Sequence, residues 1–374
     1  MKKRTTARAV CLALLLTGCA GSGEKSARKD DYFHGDGQTV ELTHTPLKGL
    51  RTGDGIICCP EIVGDSLLIT DRFLDSRYWM NRFSVAGDSL SDRGAFLHNG
   101  RGPKEMITYS GTAFDRHTRT LYFAETANGR FRQLTIDLSQ APDAHTATDL
   151  WETTEIPARF GVIYESVCWA APDRLLCIPL DDSDYLFTSI DLSSGSATYL
   201  DMKYPEQLMQ FQPFDRYQIL SYRMLSPFGK NRFLVSSRTS KYIFLFSVEG
   251  NRIKELVRLS EQFPVYTPTD GSGKYPYKLG GRQEAGCSVL AVTDRYVYIG
   301  YDNRSLAETW QESHIGNQVS LINVFDWQGR FVTRLSLDLP VIAFAVSDDD
   351  RTLYATHVDT ETEESAILRY ELPL

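Results

Sequence analysis

One hairpin is written six times along this chain, and that repeat constrains the fold more than any other feature. A polar turn runs into a short apolar strand at Gly64-Asp65-Ser66-Leu67-Leu68-Ile69 and again at Arg119-Thr120-Leu121-Tyr122-Phe123. It recurs at Asp173-Arg174-Leu175-Leu176-Cys177, Asn231-Arg232-Phe233-Leu234-Val235, Asp294-Arg295-Tyr296-Val297-Tyr298 and Asp350-Arg351-Thr352-Leu353-Tyr354. Between Leu67, Leu121, Leu175, Phe233, Val297 and Leu353 the spacings are 54, 54, 58, 64 and 56 residues. A period of about 55 residues is too long for a helical solenoid and suits one propeller blade of four strands. The expected fold is all-β: a six-bladed β-propeller with four-stranded blades, spanning residues 38–374.

Alternation and turn chemistry divide each unit into strands. In the fourth unit Arg232 to Ser236 precedes Tyr242 to Val248, a turn at Glu249-Gly250-Asn251 and Arg252 to Leu259. The fifth repeats this with Val319 to Phe325, Trp327-Gln328-Gly329 and Arg330 to Leu337. Glycine at these turns supplies the positive φ of a tight hairpin. The sixth unit is short by one strand, because Val341 to Val346, Leu353 to His357 and Ala366 to Leu372 use up the chain. Thr39 to His44 alternates correctly to fill that place, so the last blade is expected to be closed by the N-terminal strand, which removes an open sheet edge. Inserts at Pro264 to Gln283 and Asn303 to Asn317 read as loops over one face, the second carrying Trp310 and His314. No helical domain is apparent.

Lys2, Lys3, Arg4 and Arg8 precede an apolar run from Ala9 to Leu16 that is too short for a permanent bilayer span and has the layout of a secretory signal. The run ends in Leu16-Thr17-Gly18-Cys19, which resembles the lipobox of bacterial lipoproteins, in which the cysteine becomes N-terminal and takes the lipid. Residues 1–18 therefore read as a signal peptide, Cys19 as the lipidation site, and residues 19–37, rich in Gly, Ser, Lys and Asp, as a flexible tether. The expected location is the cell envelope, lipid-anchored at the outer membrane, held by acyl chains that each contribute about 0.8 kcal/mol per buried CH₂. Loss of residues 1–18 removes four positive charges and moves the formal net charge from −8 to −12, which argues against nucleic acid as a partner.

Gly100-Arg101-Gly102-Pro103-Lys104-Glu105 resembles the Gly-x-Gly-Pro-Gly-Glu-Phe signature of six-bladed propeller lipoproteins of Bacteroidetes, described as TolB-like or NHL-like. Lys104 stands where that signature commonly has Gly, and Met106 where it has Phe. With the lipobox and the repeats, the resemblance covers essentially the whole chain and implies a fold and an envelope location, with little about activity. Its two Gly and one Pro set a sharp connection into the next blade, either as a purely structural connector or with Arg101, Lys104 and Glu105 meeting the central channel.

The innermost strands of a propeller line its channel, and ligands meet the loops at one mouth. These strands are expected near Cys59 to Val63, Gly111 to Asp115, Ser166 to Ala170, Arg223 to Pro227, Cys287 to Val292 and Ile342 to Val346. Residues just before them give the candidate ligand-binding set Arg101, Glu105, Tyr109, Tyr164, Glu165, Tyr222, Arg223, Gln283 and Glu284. Arginine forks and tyrosine faces suit a glycan or an acidic peptide, while a wet channel whose side chains satisfy each other is the plainer reading. Asp71, Asp115, Asp294 and Asp348 fall at strand ends, where carboxylates accept from turn backbone. No Gly-x-Ser-x-Gly elbow and no His-Glu-x-x-His pair occurs, and of the dispersed histidines only His357, on an expected strand, is a candidate to face the channel. No catalytic residue, metal site or cofactor is therefore nominated. Counting outward from the turn at Pro172-Asp173 opposes Cys168 and Cys177, either as a cross-strand disulfide or as two small buried thiols.

The function read from these features is a lipid-anchored binding or scaffold module for an envelope protein or polar glycan. The rival is a metal-dependent hydrolase or lyase at the channel mouth, for which Glu61, Glu165 and Glu284 are the carboxylates within reach of one cation, without evident Asn and Asp support at the other blades.

Overall fold

The apolar strand of the repeat owes its uninterrupted hydrophobic run to burial on both faces. In the computed structural model Arg174–Leu180, Arg232–Ser237 and Tyr296–Tyr301 are buried along almost their whole length, and their alternate side chains feed two different cores. Leu176 and Ile178 pack with Phe233 and Val235, whereas Leu175 and Cys177 pack with Ala124, Phe131 and Trp169. Each repeat is thus sandwiched between its neighbours, and the outermost strand of a unit, such as Arg252–Glu261, is largely exposed.

The structure describes residues 38–49, 57–63, 66–71, 78–102, 105–108, 110–127, 130–137, 151–156, 163–269, 276–287, 289–302, 304–311, 318–362 and 364–374. The expected signal peptide, Cys19 and tether lie outside them, as do Tyr109 and Lys104. Two short strands, β1 (Thr39–Leu42) and β2 (Thr45–Pro46), come first. The first sheet is β3 (Ile57–Val63), β4 (Ser66–Asp71), β5 (Tyr78–Ala86) and β6 (Ser89–His98), in that spatial order. The second is β7 (Gly111–Asp115), β8 (Thr120–Ala127), β9 (Arg130–Asp137) and β10 (Trp151–Glu155). The third is β11 (Ile163–Ala171), β12 (Arg174–Leu180), β13 (Thr188–Asp191) and β14 (Ala197–Tyr199), and the fourth β15 (Tyr222–Leu225), β16 (Arg232–Ser237), β17 (Tyr242–Glu249) and β18 (Arg252–Glu261). A separate hairpin, β19 (Tyr266–Pro268) with β20 (Tyr277–Leu279), occupies the first insert. The fifth sheet contains β21 (Val289–Val292), β22 (Tyr296–Tyr301), β23 (Val319–Asp326) and β24 (Phe331–Val341), and the sixth β25 (Ala343–Val346), β26 (Thr352–Val358) and β27 (Ser365–Glu371).

Within each sheet the strands of the repeat form antiparallel meanders, and the anticipated turn glycines behave as the local chemistry requires: Gly250 and Gly329 have φ of 59° and 76°. Among the described residues two helices interrupt the pattern. Helix α1 (Pro213–Leu220) follows a 3₁₀ turn at Glu206–Leu208 and packs Ile219 and Leu220 into the core beside β15, and α2 (Leu306–Gln311) lies in the second insert. Gly111 marks a close approach of sheets, since a Cβ there would meet the Val167 carbonyl oxygen at 2.0 Å, while Val167 N donates to Ser110 O at 2.9 Å.

One expectation is corrected, and of the two readings open for Cys168 and Cys177 the structure shows the buried thiols. Thr39 to His44 does not complete the sixth sheet: β1 runs parallel to β24, with Val40 opposite Leu335 and Leu42 opposite Leu337, as a fifth strand of the fifth sheet. The sixth sheet takes only β2, with Thr45 opposite Arg369, Pro46 opposite Leu368 and Leu47 N donating to Ile367 O at 2.9 Å. The apolar register decides the split, because Leu42 enters the core of Leu335, Leu337 and Leu368 while Leu47 enters that of Phe83, Leu90 and Ile367. Cys168 and Cys177 are free thiols rather than a cross-strand pair. A bulge between Trp169 and Ala171 places Leu176 opposite Cys168, and a one-residue slip reverses the face a side chain presents. Cys168 therefore faces the fourth sheet, its Sγ donating to Met224 O at 3.4 Å, and Cys177 packs toward the second.

Candidate central binding cavity

The first strands of the six larger sheets form a cycle: β7 touches β11, β11 touches β15, β15 touches β21, β21 touches β25 and β25 touches β3. The last link is a hydrogen bond, Thr112 Oγ1 of β7 donating to Glu61 Oε1 of β3 at 2.5 Å. Within the cycle is a cavity of about 220 Å³, whose polar lining is Glu61, Thr112, Arg116, Arg223, Ser226 and Asp348 among apolar residues that include Phe114, Phe228 and Phe344. Glu61 is half-buried with its carboxyl shut in by the surrounding strands. Burial pushes that carboxyl above the usual carboxylate range, and the Thr112 hydrogen bond and the Arg223 charge pull against the rise without cancelling it. The interior therefore combines a guanidinium, a hydroxyl and a carboxyl group that holds its proton more readily than an exposed glutamate.

At the end where the first strands run into their turns, charges tie the sheets together. Arg116, after β7, forms an ion pair with Asp348, after β25. Burial lowers the proton affinity of Arg116, while Asp294 and Asp350 raise it. Lys230 reaches Asp294 at 2.9 Å between the fourth and fifth sheets. Asp350 is 0% exposed and accepts from Thr293 Oγ1 at 2.6 Å, Tyr298 OH at 2.7 Å and Arg295 Nε at 2.8 Å, joining the fifth sheet to the sixth. The Asp-Arg turns that recur in the sequence thus include inter-sheet links. Asp115 behaves as expected of a turn carboxylate, accepting from His117 N at 2.9 Å and Thr118 Oγ1 at 2.8 Å, whereas Asp294 and Asp348 are engaged by cations from other sheets.

Of the residues singled out from sequence, Arg223 lines the cavity. Tyr222, one position away on the same strand, points the opposite way as strand alternation demands; it is 2% exposed and packs against Tyr242 and Phe244, which corrects its placement at the mouth. Glu165 lies on β11, half-buried, and burial raises its proton affinity; Tyr164 contributes backbone to the same strand. Glu105 turns back on its own loop, Oε2 accepting from Gly102 N at 2.8 Å, and Arg101 is exposed. Arg132, from β9 in the middle of the second sheet, donates to the Glu105 carbonyl and pairs with Glu125, so the loop is fastened away from the first strands. Gln283 bridges Val265 N at 2.5 Å and Thr239 O at 2.7 Å, and Glu284 is paired with the buried Lys241. His357 Nδ1 lies 2.7 Å from Pro340 O. Glu61, Glu165 and Glu284 are not gathered, and among the described residues no group of three or more His, Cys, Asp or Glu is placed to hold a metal ion. Arg116, Thr112 and Asp348 were absent from the sequence-derived set because it favoured residues before the first strands, whereas the cavity is lined by residues within and after them.

No protein-family model matches this chain, and no curated protein matches it. Solved structures do resemble it. A candidate exported protein from Bacteroides fragilis superposes with a TM-score of 0.51 at 12% identity, covering 90% of this chain and 99% of that one. The Cps50 β-propeller domain of Myceliophteria thermophila gives a TM-score of 0.45 at 10% identity over 88% of this chain and 99% of that one. A luciferin-regenerating enzyme gives 0.47 at 8% identity over 89% of this chain and 96% of that one. At these identities the likeness concerns the fold alone, and the fold is an all-β propeller.

Proposed function

We propose that this chain is a six-bladed β-propeller lipoprotein of the cell envelope, of the TolB-like or NHL-like kind, that acts as a binding module and takes a polar ligand in its central cavity. The observation that carries this reading is the cavity itself, with Arg223, Glu61 and Thr112 converging inside and the Arg116–Asp348 pair at its rim. Its volume of about 220 Å³ lies below the roughly 300–1,000 Å³ of pockets for drug-sized ligands, so it suits a glycan unit better than a segment of an envelope protein. The Leu16-Thr17-Gly18-Cys19 segment supports lipid anchoring at the outer membrane, and the description of the Bacteroides fragilis structure as exported accords with an envelope location.

The test is recovery of the full-length lipoprotein from detergent-solubilised envelopes of its own cells. Cys19→Ser is expected to move the protein from the membrane to the soluble fraction. An envelope component should co-purify with wild type and with Arg101→Ala, and fall about ten- to a hundredfold with Arg223→Ala, the effect of losing a charge-assisted hydrogen bond. Equal recovery with Arg223→Ala rejects the cavity as the site.

A further inference from the structure

Resting on the binding-module reading, we propose that the cavity selects an uncharged sugar of single-ring size, which lays a C–H face on the phenylalanines and donates its hydroxyls to the lining, and that it excludes the corresponding uronic acid and amino sugar. The charged residues that line the cavity are Glu61, Arg116, Arg223 and Asp348, two acids against two bases. Neither cation is idle. Arg116 pairs with Asp348, and Arg223 is engaged within the structure, its charge acting on Glu61. An acidic ligand would therefore meet two carboxyl groups and no spare arginine, and a basic ligand two guanidinium groups and no spare carboxylate. The rest of the lining is mostly apolar, so a charge brought inside loses its water with no counter-charge to replace it.

Hydrogen-bond capacity points the same way. Thr112 Oγ1 gives its one O–H to Glu61 Oε1 at 2.5 Å, and Ser226 Oγ gives its own to Pro227 O at 3.0 Å. Both hydroxyls keep lone pairs, and the carboxyl oxygens of Glu61 and Asp348 bring more. The capacity left on the two hydroxyls is to accept, which a sugar meets with its several O–H donors. Phe114, Phe228 and Phe344 supply aromatic surface for the C–H face of the ring. Phe228 is held in place by Tyr122, stacked on it with ring centroids 5.2 Å apart and planes 13° from parallel. A mostly apolar pocket with a few convergent polar groups is the ordinary form of a small-molecule site, and a volume of about 220 Å³ suits one ring rather than a chain of them.

The experiment is isothermal titration of the full-length protein, in a detergent without a sugar headgroup, with glucose, glucuronate and glucosamine and with galactose, galacturonate and galactosamine. Glucose or galactose should bind wild type at least about tenfold more tightly than its own acid and its own amine. That affinity should change less than about twofold between about 0.05 and 0.5 M sodium chloride, because no ion pair forms with the ligand. Phe228→Leu, which keeps apolar bulk without the ring, and Ser226→Ala, which removes one acceptor, should each weaken the neutral sugar about three- to tenfold. The salt response is read on wild type, so it stands even where a variant fails to fold. The proposal is overturned by no binding of either neutral sugar, by equal or tighter binding of an acid or amine, by an affinity that falls about threefold or more in salt, or by unchanged affinity in either variant when it melts with wild type. If both neutral sugars fail while wild type still recovers an envelope component that Arg223→Ala loses, the ligand class falls and the binding module stands; if both fail, both fall.

Discussion

Glu61 sits where burial and a neighbouring charge pull its proton affinity in opposite directions, and burial wins. Its folded pKa therefore lies above the value of 4.5 it has in the unfolded chain, so the folded state binds more protons. The sign follows: stability is fully present below the unfolded value and is lost as pH rises through the folded one. Glu61→Gln retains an oxygen to accept from Thr112 and has no charge to bury. It is expected to melt above wild type at neutral and alkaline pH, with the difference shrinking toward acid. Thermal melts across pH check this, and a difference that stays constant with pH would show that the carboxyl does not titrate there. The same desolvation acts on the core thiols, since burial pushes Cys168 up to about 12 and Cys177 well above its ordinary value. Both are packing residues with no thiolate to offer.

The connector between the first and second sheets shows how a local motif depends on a distant partner. Asn99 and Met106 bridge its ends, and Ile107 N donates to Glu125 Oε1 at 2.6 Å. Arg132 pairs with that same Glu125 and donates to the carbonyls of Glu105 and, at 3.3 Å, Gly102. A Cβ on Gly100 would fall on the Glu105 carboxyl, so the Gly-x-Gly spacing makes room for this turned-back side chain. Arg132→Ala would strand a buried Glu125 without its cation, and loss of about 3–5 kcal/mol in denaturant unfolding is expected. A loss below about 1 kcal/mol would mean the pair is solvated and the loop held otherwise. The sharp connection was legible in the sequence because glycine and proline act locally; its fastening was not, because Arg132 is 27 residues from Glu105. The strands after each repeated turn were legible for a similar reason, double burial having written unbroken apolar runs such as Leu175–Ile178. Helix α1 was not, since the short segment Pro213–Leu220 buries Arg216 among its packing residues and shows little apolar periodicity. Arg216 is held there by carbonyls of Phe211 and Ser183 at 2.7 and 3.1 Å, contacts that no residue pattern announces.

Over the whole molecule the decisive long-range event is the return of the N-terminal segment to the C-terminal sheets. Sequence alternation assigned Thr39 to His44 to the edge of the sixth sheet, whereas it lies on β24 of the fifth, because β24 and β27 both present apolar rows and the alternation alone does not separate them. The answer lies in tertiary contacts: Arg334 N donates to Gln38 O at 3.0 Å and His44 Nδ1 lies 3.0 Å from Asp338 Oδ2, fixing the segment along β24 before it crosses to β27. Two strands of four and two residues thereby serve two sheets, and the two losses are separable. Removing residues 38–42 should uncover the long edge of β24 while leaving β2 on β27. Unpaired N–H and C=O groups along an eleven-residue strand are a template for another chain, so concentration-dependent aggregation and a lower melting temperature are expected. Removing residues 38–47 should cost more, because Leu47 is also withdrawn from the core of Phe83, Leu90 and Ile367. Light scattering and thermal melts of the two deletions check the order. A 38–42 deletion that stays monomeric with an unchanged melting temperature would show that the edge of β24 is protected without β1, and that the segment contributes to the sixth sheet alone.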